Sequence, residues 1–258
     1  MIKVLNIPLF DQGLEVAVLD VVTMCLSDQP KENRCISATG AHGITQAYKH
    51  PEFKTILKSF YLNLPDGMPC VWVGQLKGAS EMDRCYGPDF FREVIIATKD
   101  LPIRHYFCGG KDGVAEELKG VCLTKYGNPN VVGTFCPPFR ELSETECINL
   151  ANVINEKETD ILWIGISTPK QEKLAKRLSQ YTNIHFLATV GAAFDFHIGK
   201  VQQAPRLMQK LGLEWFFRLC MEPKRLFKRY LEIVPCFIYY NLIEFLTTIT
   251  TEDSKHDN

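Results

Sequence analysis

The sequence predicts an α/β protein with a doubly wound, mainly parallel sheet of the Rossmann-like kind and a helical C-terminal appendage. Short apolar stretches alternate with longer stretches whose apolar residues recur at helical spacing, as in successive βαβ units. The stretches 160–166 and 184–190 are almost unbroken apolar runs, which is typical of strands buried on both faces of a sheet. The pattern then changes, so we divide the chain into an α/β domain, 1–204, and an appendage, 205–258.

Turn residues separate the predicted elements in order along the chain. Gly40 to Gly43 lead from the first strand into a helix, and Gly109-Gly110 end a later strand. Ser143 and Glu146 have the spacing of a capping box at the start of another helix. We predict helices over 14–26, about 44–60, about 88–99, from about 113, over 143–157 and about 170–180, and strands over 33–39, 103–108, 130–135, 160–166 and 184–190.

Composition limits the possible functions of the chain. Of its 258 residues, 46% are hydrophobic and 23% charged, which is ordinary globular usage and excludes wholesale disorder. The formal net charge of -1 gives no reason to expect a nucleic-acid partner. The N-terminus predicts no secretory signal, because it has no basic segment followed by a long apolar one. The 10 cysteines include no Cys-x2-Cys pair, so we interpret all of them as reduced structural thiols.

One carboxylate, Asp66, stands between Pro65 and Gly67 where an apolar run ends. Proline fixes φ and glycine tolerates positive φ, so this is turn chemistry. Asp66 is therefore either a turn former that bonds its own backbone or a carboxylate presented at a strand end for function. Local sequence alone leaves both readings open.

Polar or glycine residues recur at the predicted carboxyl ends of several strands. In an open α/β sheet these ends lie along one edge, which is where such sheets bind ligands. The glycine pair Gly109-Gly110 lies between a predicted strand and a helix that begins near 113. This arrangement also suits the binding of a phosphate, since glycine lets backbone amides come close to an anion. Ser37 and Thr39 are equally ordinary strand residues. The residues predicted to converge on one crevice are Ser37, Thr39, Asp66, Gly109, Gly110, Gln171 and Asp195.

The appendage is basic and aromatic. Residues 211–217 are strongly apolar, five cations follow within twelve residues, and 233–246 is again apolar. Pro223 is expected to start a helix in which Arg225 and Arg229 share a face. The run 233–246 is too short and too interrupted to span a bilayer. Cations beside apolar aromatic residues indicate that the appendage binds an anionic membrane surface. The alternative is that the appendage forms a dimer interface or a helix docked on the sheet. The five cations are Arg218, Lys224, Arg225, Lys228 and Arg229.

The ordered motifs of the chain resemble those of the WecG/TagA/CpsF family of bacterial glycosyltransferases, glycosyltransferase family 26. The resemblance covers roughly residues 33–235, nearly the whole chain. The motifs are Pro-Asp66-Gly-Met-Pro, Arg84-x-Tyr-Gly-x-Asp89, Gly109-Gly-Lys-Asp-Gly-Val-Ala-Glu, Pro-Pro-Phe-Arg140, Thr168-Pro-Lys-Gln171-Glu, Val-Gly-Ala-Ala-Phe-Asp195-Phe-His-Ile-Gly, and Ala-Pro-x6-Gly-Leu-Glu-Trp-x2-Arg218-Leu-x3-Pro-x-Arg225.

The resemblance implies an inverting sugar transfer from a UDP-sugar to a polyprenyl-diphosphate-linked saccharide. It places the protein on the cytoplasmic face of the bacterial inner membrane, in synthesis of capsule, exopolysaccharide or teichoic-acid-type polymers, without a metal or other cofactor. The sequence agrees with metal independence in having no Asp-x-Asp pair. A homo-oligomer is possible on the same apolar tail.

By resemblance, the site residues take separate roles. Asp66 is the general base, and Arg218 and Arg225, with neighbouring Lys228 and Arg229, neutralise the leaving UDP. If membrane docking orders residues 205–246, these cations reach the site only beside the lipid acceptor. The positions matching the donor pocket are Ser37, Thr39, Arg84, Gln171 and Asp195.

Family members commonly have Thr-x-Asn where this chain has Ser37-Ala38-Thr39. Ser37 keeps a hydroxyl, but Thr39 lacks the amide, so the sequence does not assign the donor sugar. Two other classes remain as alternatives. A non-catalytic nucleotide-sugar or lipid-head-group binding protein would keep the crevice without needing Asp66. A nucleotide-sugar epimerase or dehydrogenase is disfavoured, because no Gly-x-Gly-x-x-Gly follows an early strand.

Overall fold

The computed structural model describes the backbone of residues 1–256 and the side chains of residues 1–247 other than 206, 210 and 225. A six-stranded, wholly parallel sheet forms its centre, which confirms the predicted α/β fold. A separate two-stranded hairpin precedes that sheet. The strands are β1 (Ile2–Val4), β2 (Ile7–Leu9), β3 (Arg34–Thr39), β4 (Leu62–Pro65), β5 (His105–Gly109), β6 (Val131–Phe135), β7 (Ile161–Gly165) and β8 (Phe186–Thr189).

Helices cover both faces of the sheet, as the doubly wound pattern predicts. One face carries a core of large apolar side chains that includes Trp163 and Phe91, and the other a core that includes Leu162 and Ile164. Alternate residues of β7 thus enter opposite cores, because side chains of a strand alternate between faces. The helices of this domain are α1 (Leu14–Leu26), α2 (Ala41–Lys49), α3 (Pro51–Lys58), α4 (Met68–Leu76), α5 (Gly87–Ala97), α6 (Val114–Tyr126), α7 (Glu144–Glu156), α8 (Lys170–Leu178) and α9 (Ala193–His197).

The strand order in the sheet is β4-β3-β8-β7-β5-β6. The strands β4, β3, β8 and β7 are therefore neighbours and, being parallel, end at the same edge. The loops that follow them bring residues 40, 66, 167–171 and 191 together from distant parts of the chain. This edge is the one at which the sequence predicts a crevice.

The structure differs from the predicted elements at the region 41–58 and at the N-terminal hairpin. The single helix predicted over about 44–60 is wrong: α2 and α3 are separate helices, joined at His50. Pro51 explains the break, since a residue before proline is driven out of the helical region, and His50 has φ -124 and ψ 100. The hairpin of β1 and β2 has no counterpart among the predicted elements.

The appendage consists of α10 (Arg206–Lys210), α11 (Glu214–Met221) and α12 (Pro223–His256), which starts at Pro223 as predicted. α12 packs on α2, and its buried Phe237 belongs to the same core as Ile44 and Ala47 of α2. Tyr240 stacks on Tyr48 with ring centroids 4.2 Å apart. Within the described residues, no helix has a long enough apolar stretch to cross a membrane. The domain boundary at 204 stays a prediction.

Candidate active site

A cavity of about 1280 Å³ lies at the carboxyl edge of the sheet, between the α/β domain and the appendage. Its walls include the loops after all six strands of the sheet, together with residues of α4, α11 and α12. The structure thus places most of the predicted site residues around one space, although they are far apart in sequence. The predicted residues on its walls are Asp66, Arg84, Gly110, Gln171, Asp195, Arg218 and Arg229.

Asp66 follows directly after β4, and its carboxylate is held by the backbone. The amide of Gly87 donates a 2.7 Å hydrogen bond to Asp66 Oδ1. The amide of Asp66 itself donates to the carbonyl of Thr39, which continues the pairing of β3 with β4. One carboxylate oxygen is therefore fixed, while Asp66 remains part of the cavity wall.

Close packing at Gly87 favours glycine there. A Cβ there would lie 3.0 Å from Ala38 Cβ and 3.1 Å from the carbonyl oxygen of Val190. Without a side chain, the first turn of α5 approaches the ends of β3 and β8 closely enough to donate to Asp66. Close packing thus explains the glycine of the motif Arg84-x-Tyr86-Gly87.

Burial raises the pKa of Asp66 to about 6, from an ordinary value of 3.8. The Gly87 hydrogen bond opposes the rise, Glu214 adds to it, and the guanidinium groups of Arg84 and Arg218 oppose it. A carboxylate with a pKa just below neutrality is ionised at pH 7 and still basic enough to take a proton. Asp66 is thus in the state that general-base chemistry needs.

Ser37 and Thr39 lie behind the cavity wall rather than on it. Both are buried, at 0% and 3% exposure, and only Ala38 between them lines the cavity. The Thr39 hydroxyl donates to Ser37 Oγ (2.8 Å), and the Ser37 hydroxyl donates to Glu172 Oε1 (3.2 Å). These contacts place both hydroxyls in an internal network.

Gln171 belongs to the same network, although it also reaches the cavity wall. Its Nε2 donates to Glu172 Oε1 (2.9 Å) and to Thr168 Oγ1 (3.3 Å), and its Oε1 accepts from the Gly191 amide (3.0 Å). Glu172 also accepts from Thr168 Oγ1 (2.9 Å). Burial raises the pKa of Glu172, while its hydrogen bonds oppose that rise. Glu172 and Gln171 together thus tie β3 to the loops after β7 and β8.

The glycine pair after β5 divides into a packing residue and a cavity residue. Gly109 has φ +147, and a Cβ on it would lie 2.5 Å from the Gly165 carbonyl oxygen. That leaves no room for a side chain between β5 and β7. Gly110 lies on the cavity wall, and its amide donates to the Gly165 carbonyl at 3.0 Å.

Arg84 connects the α/β domain to the appendage. Its Nη1 donates to Glu214 Oε2 at 2.7 Å, with both side chains only 11% exposed. Its Nη2 donates to Gln209 Oε1 at 3.2 Å, and its guanidinium lies 4.4 Å from the centroid of the Tyr86 ring. Arg84 is thus already occupied by α10 and α11 residues in this structure.

Arg218 of α11 is an appendage cation on the cavity wall. Its Nε is buried without a hydrogen-bond partner, and its guanidinium lies 5.5 Å from the centroid of the Phe196 ring. Glu222 is 3.7 Å from Nη2, a long contact for an ion pair. Arg218 therefore presents a partly uncompensated positive charge to the cavity.

The other predicted cations differ in placement. Arg229 lies on the cavity wall near His42, whose pKa is lowered to about 4 by burial first and by Arg229 second. Lys228 is exposed and does not line the cavity. The backbone of Arg225 lies in α12, but its side chain is outside the described part of the chain. Asp195 lines the cavity from α9, near Phe196.

The far part of the cavity is apolar and partly open. Trp72 and Leu76 of α4 line it with exposures of 46% and 74%, and Ile238 and Leu242 of α12 do so with 54% and 56%. The cavity therefore has a charged end near Asp66 and an apolar end between α4 and α12. Sequence reasoning left the apolar contribution of α4 unassigned.

Tyr86 and Glu214 are two cavity residues to which the sequence gave no role. Both stand inside quoted motifs, but a tyrosine beside a glycine and a glutamate in an aromatic stretch carry no local signal for a site. Among the described residues, no group of three or more His, Cys, Asp or Glu lies together as metal ligands would.

Comparison with known proteins gives two findings. The model of the Glycosyl transferase WecG/TagA/CpsF family matches residues 2–250. An "N-acetylglucosaminyldiphosphoundecaprenol N-acetyl-beta-D-mannosaminyltransferase" from Bacillus subtilis (strain 168) is 26% identical over 228 residues, covering 88% of this chain and 86% of that protein. The family match spans both the α/β domain and most of the appendage.

Proposed function

The chain belongs to the WecG/TagA/CpsF family of glycosyl transferases, and we propose from this that it transfers a sugar from a UDP-sugar to a polyprenyl-diphosphate-linked saccharide. The B. subtilis relative is named for transfer of N-acetylmannosamine to N-acetylglucosaminyldiphosphoundecaprenol, which supports these substrate classes. The reaction would contribute to the synthesis of a cell-surface polysaccharide. We leave the donor sugar open, because Ser37 and Thr39 depart from the usual family pattern.

The observation that carries the mechanism is the half-fixed carboxylate of Asp66. The Gly87 amide holds Oδ1 at 2.7 Å, so Oδ2 is oriented to take the proton of the attacking acceptor hydroxyl. Deprotonation strengthens the nucleophile as it attacks the anomeric carbon from the side opposite to UDP. This geometry of attack inverts the anomeric configuration.

The leaving diphosphate gains negative charge as the glycosidic bond breaks. In this proposal Arg218 and Arg229 bind that charge from the appendage side, without a metal ion. The unpartnered, buried Nε of Arg218 supports this role, because a buried donor without a partner is costly until a ligand satisfies it. Arg225 and Lys228 stay candidates for the same role by family resemblance alone.

The lipid acceptor fits the two-ended shape of the cavity. Its diphosphate and sugar belong at the charged end, and its prenyl chain belongs along Trp72, Leu76 and Leu242. Exposed leucines of α12 outside the cavity would then face the membrane surface, and the protein would be peripheral on its cytoplasmic side. These leucines are Leu231 and Leu246.

The test is UDP release from a panel of UDP-sugars, with and without a short-chain prenyl-diphosphate-linked N-acetylglucosamine, in EDTA throughout. We expect acceptor-dependent release from one donor, and a fall of about 10²- to 10⁴-fold in Asp66→Asn, which removes the base but keeps an oxygen for Gly87. Asp83→Asn is the control, because Asp83 is exposed nearby and does not line the cavity. Full activity in Asp66→Asn would overturn the proposed base.

A further inference from the structure

We propose that Glu214 and Tyr86 form a subsite beside Asp66 that binds hydroxyl or amide groups of a sugar ring. The inference deepens the proposed function and rests on it. Glu214 comes from α11 of the appendage and Tyr86 from the loop before α5 of the α/β domain, so two segments of the chain build the subsite together.

Both side chains are buried on the cavity wall and each has an unused polar atom. Tyr86 is 6% and Glu214 8% exposed. Neither the Tyr86 hydroxyl nor Glu214 Oε1 makes a hydrogen bond of ordinary geometry, and the same holds for Arg218 Nε. The Tyr86 hydroxyl and the Glu214 carboxylate lie close enough for a weak side-chain hydrogen bond that helps to raise the pKa of Tyr86, so a ligand would take up the capacity that this weak contact leaves unused. Buried polar atoms are nearly always paired in folded proteins, so three unsatisfied ones around the same part of the cavity point to a ligand.

The geometry fixes Glu214 through its other oxygen. Oε2 accepts from Arg84 Nη1 at 2.7 Å, and Arg84 is held in turn by Gln209 and by the Tyr86 ring. The carboxylate is thus oriented before any ligand arrives, with Oε1 as a fixed acceptor. Preorganised polar groups of this kind give a site specificity at small entropic cost.

The Tyr86 hydroxyl supplies the complementary donor. Its pKa is raised, first by burial and then by the nearby Glu214 and Asp66 carboxylates, so the phenol keeps its proton at neutral pH. Edge-on packing against Phe196, with ring centroids 5.9 Å apart, fixes the ring plane. One fixed acceptor and one fixed donor match the hydroxyl and acetamido groups of a pyranose.

The sugar in question belongs to either the donor or the acceptor, since both meet at Asp66. A binding experiment without turnover separates them. In one arm, calorimetry compares UDP with UDP-N-acetylmannosamine and UDP-N-acetylglucosamine; in the other it compares farnesyl diphosphate with farnesyl-diphosphate-linked N-acetylglucosamine. The ratio of the two Kd values in each pair measures the sugar contribution alone.

We expect Glu214→Gln to reduce that ratio by about 10-fold and Tyr86→Phe by about 3- to 10-fold, in one arm, since each removes or weakens one hydrogen bond. A loss of affinity that is equal for a sugar ligand and its sugar-free partner is assigned to the disturbed Arg84–Glu214 ion pair and not to the subsite. The matched control is Glu232→Gln, which breaks the 2.8 Å Lys49 pair that also ties the appendage to α2 but lies off the cavity.

The subsite is overturned if the ratio of Kd values is the same in both variants as in the wild type, in both arms. It is also overturned if the wild-type protein binds the sugar ligands no more tightly than their sugar-free partners. The two proposals fail separately. Acceptor-dependent UDP release with an unchanged ratio would leave the transferase standing and remove the subsite. A ratio that falls in Glu214→Gln, with no turnover of any donor, would keep the subsite and count against the proposed function.

Discussion

The two walls of the cavity are built in opposite ways. On the sheet side, Ser37, Thr39, Gln171 and Glu172 bond to one another in a buried network that leaves Glu172 Oε2 without a partner. On the appendage side, Glu214 Oε1 and Arg218 Nε are buried without partners, and leucines of α12 stand exposed. The difference teaches that most polar groups behind the sheet wall satisfy one another, while the appendage wall presents polar atoms and apolar side chains to a ligand.

Replacing Arg218 tests this contrast most strongly. We expect Arg218→Gln to lower kcat/KM by about 10²- to 10³-fold, because a cation with only a long ion pair, beside developing negative charge, stabilises the transition state. Arg140→Gln is the sheet-side counterpart, since Arg140 is on the cavity rim and both its Nη atoms already bind Glu146 at 2.7 Å. Steady-state rates of UDP release measure both. Equal losses in the two variants would break the contrast.

The sheet-side network is expected to matter for stability instead. Glu172→Ala removes the acceptor of Ser37, Thr168 and Gln171 and should lower the free energy of unfolding by about 2–4 kcal/mol. Glu172→Gln keeps one acceptor oxygen and should lose much less. Urea unfolding followed by circular dichroism gives both values. A stable Glu172→Ala protein would show that the network does not hold this wall.

Asp66 lies where the two walls meet, so its titration should limit activity. Because its pKa is about 6, kcat/KM should fall about tenfold per pH unit below that value and level off above it. The pH profile of UDP release measures this limb. A profile that is flat down to pH 5 would contradict a general base with this pKa.

The same shift has a stability consequence of opposite sense. The folded pKa lies above the unfolded one, so the folded state binds more protons between pH 3.8 and about 6, and stability falls as pH rises through that window. At pH 7.5, Asp66→Asn should therefore raise the free energy of unfolding, by up to about 2 kcal/mol. Below pH 3.8 the gain should vanish. Activity and stability would then oppose each other at one residue.

The smallest expected effect concerns the exposed face of α12. Leu231 and Leu246 are 61% and 63% exposed and do not line the cavity. Replacing both by serine should weaken binding to vesicles containing anionic lipid by about threefold to tenfold. Leu123→Ser on α6, at 56% exposure, is the control. Unchanged vesicle binding together with a change in sedimentation would assign this face to self-association instead.

Sequence patterns predicted most of the sheet and its functional edge, for reasons visible in particular residues. The apolar run of β7 gave a clear signal, because both its faces are buried. The strands of the N-terminal hairpin are 3 residues long, too short to show a period. Asp66 was marked by its flanking proline and glycine, whereas Ser37 and Thr39 differ from cavity residues only by the direction in which a strand residue points.

The appendage side was harder to predict. Its cations are visible as a cluster, but which of them enters the cavity depends on how α11 and α12 dock. Arg84 and Glu214 are 130 residues apart in the chain, and their ion pair places Glu214 near Tyr86, on whose ring Arg84 also packs. Only tertiary contact, not local pattern, reveals such a pair.

The ion pair between Arg84 and Glu214 also bears on how such proteins can be recombined. It is a buried contact whose two halves lie on opposite sides of the predicted boundary at 204. A chimaera that exchanges residues 205–258 between relatives therefore exchanges one half of an electrostatic match. Chimaeras that keep both an arginine at 84 and a glutamate at 214 should assemble, and chimaeras that lack one of the two should not. The appendage is thus a module only together with its counterpart on the α/β domain.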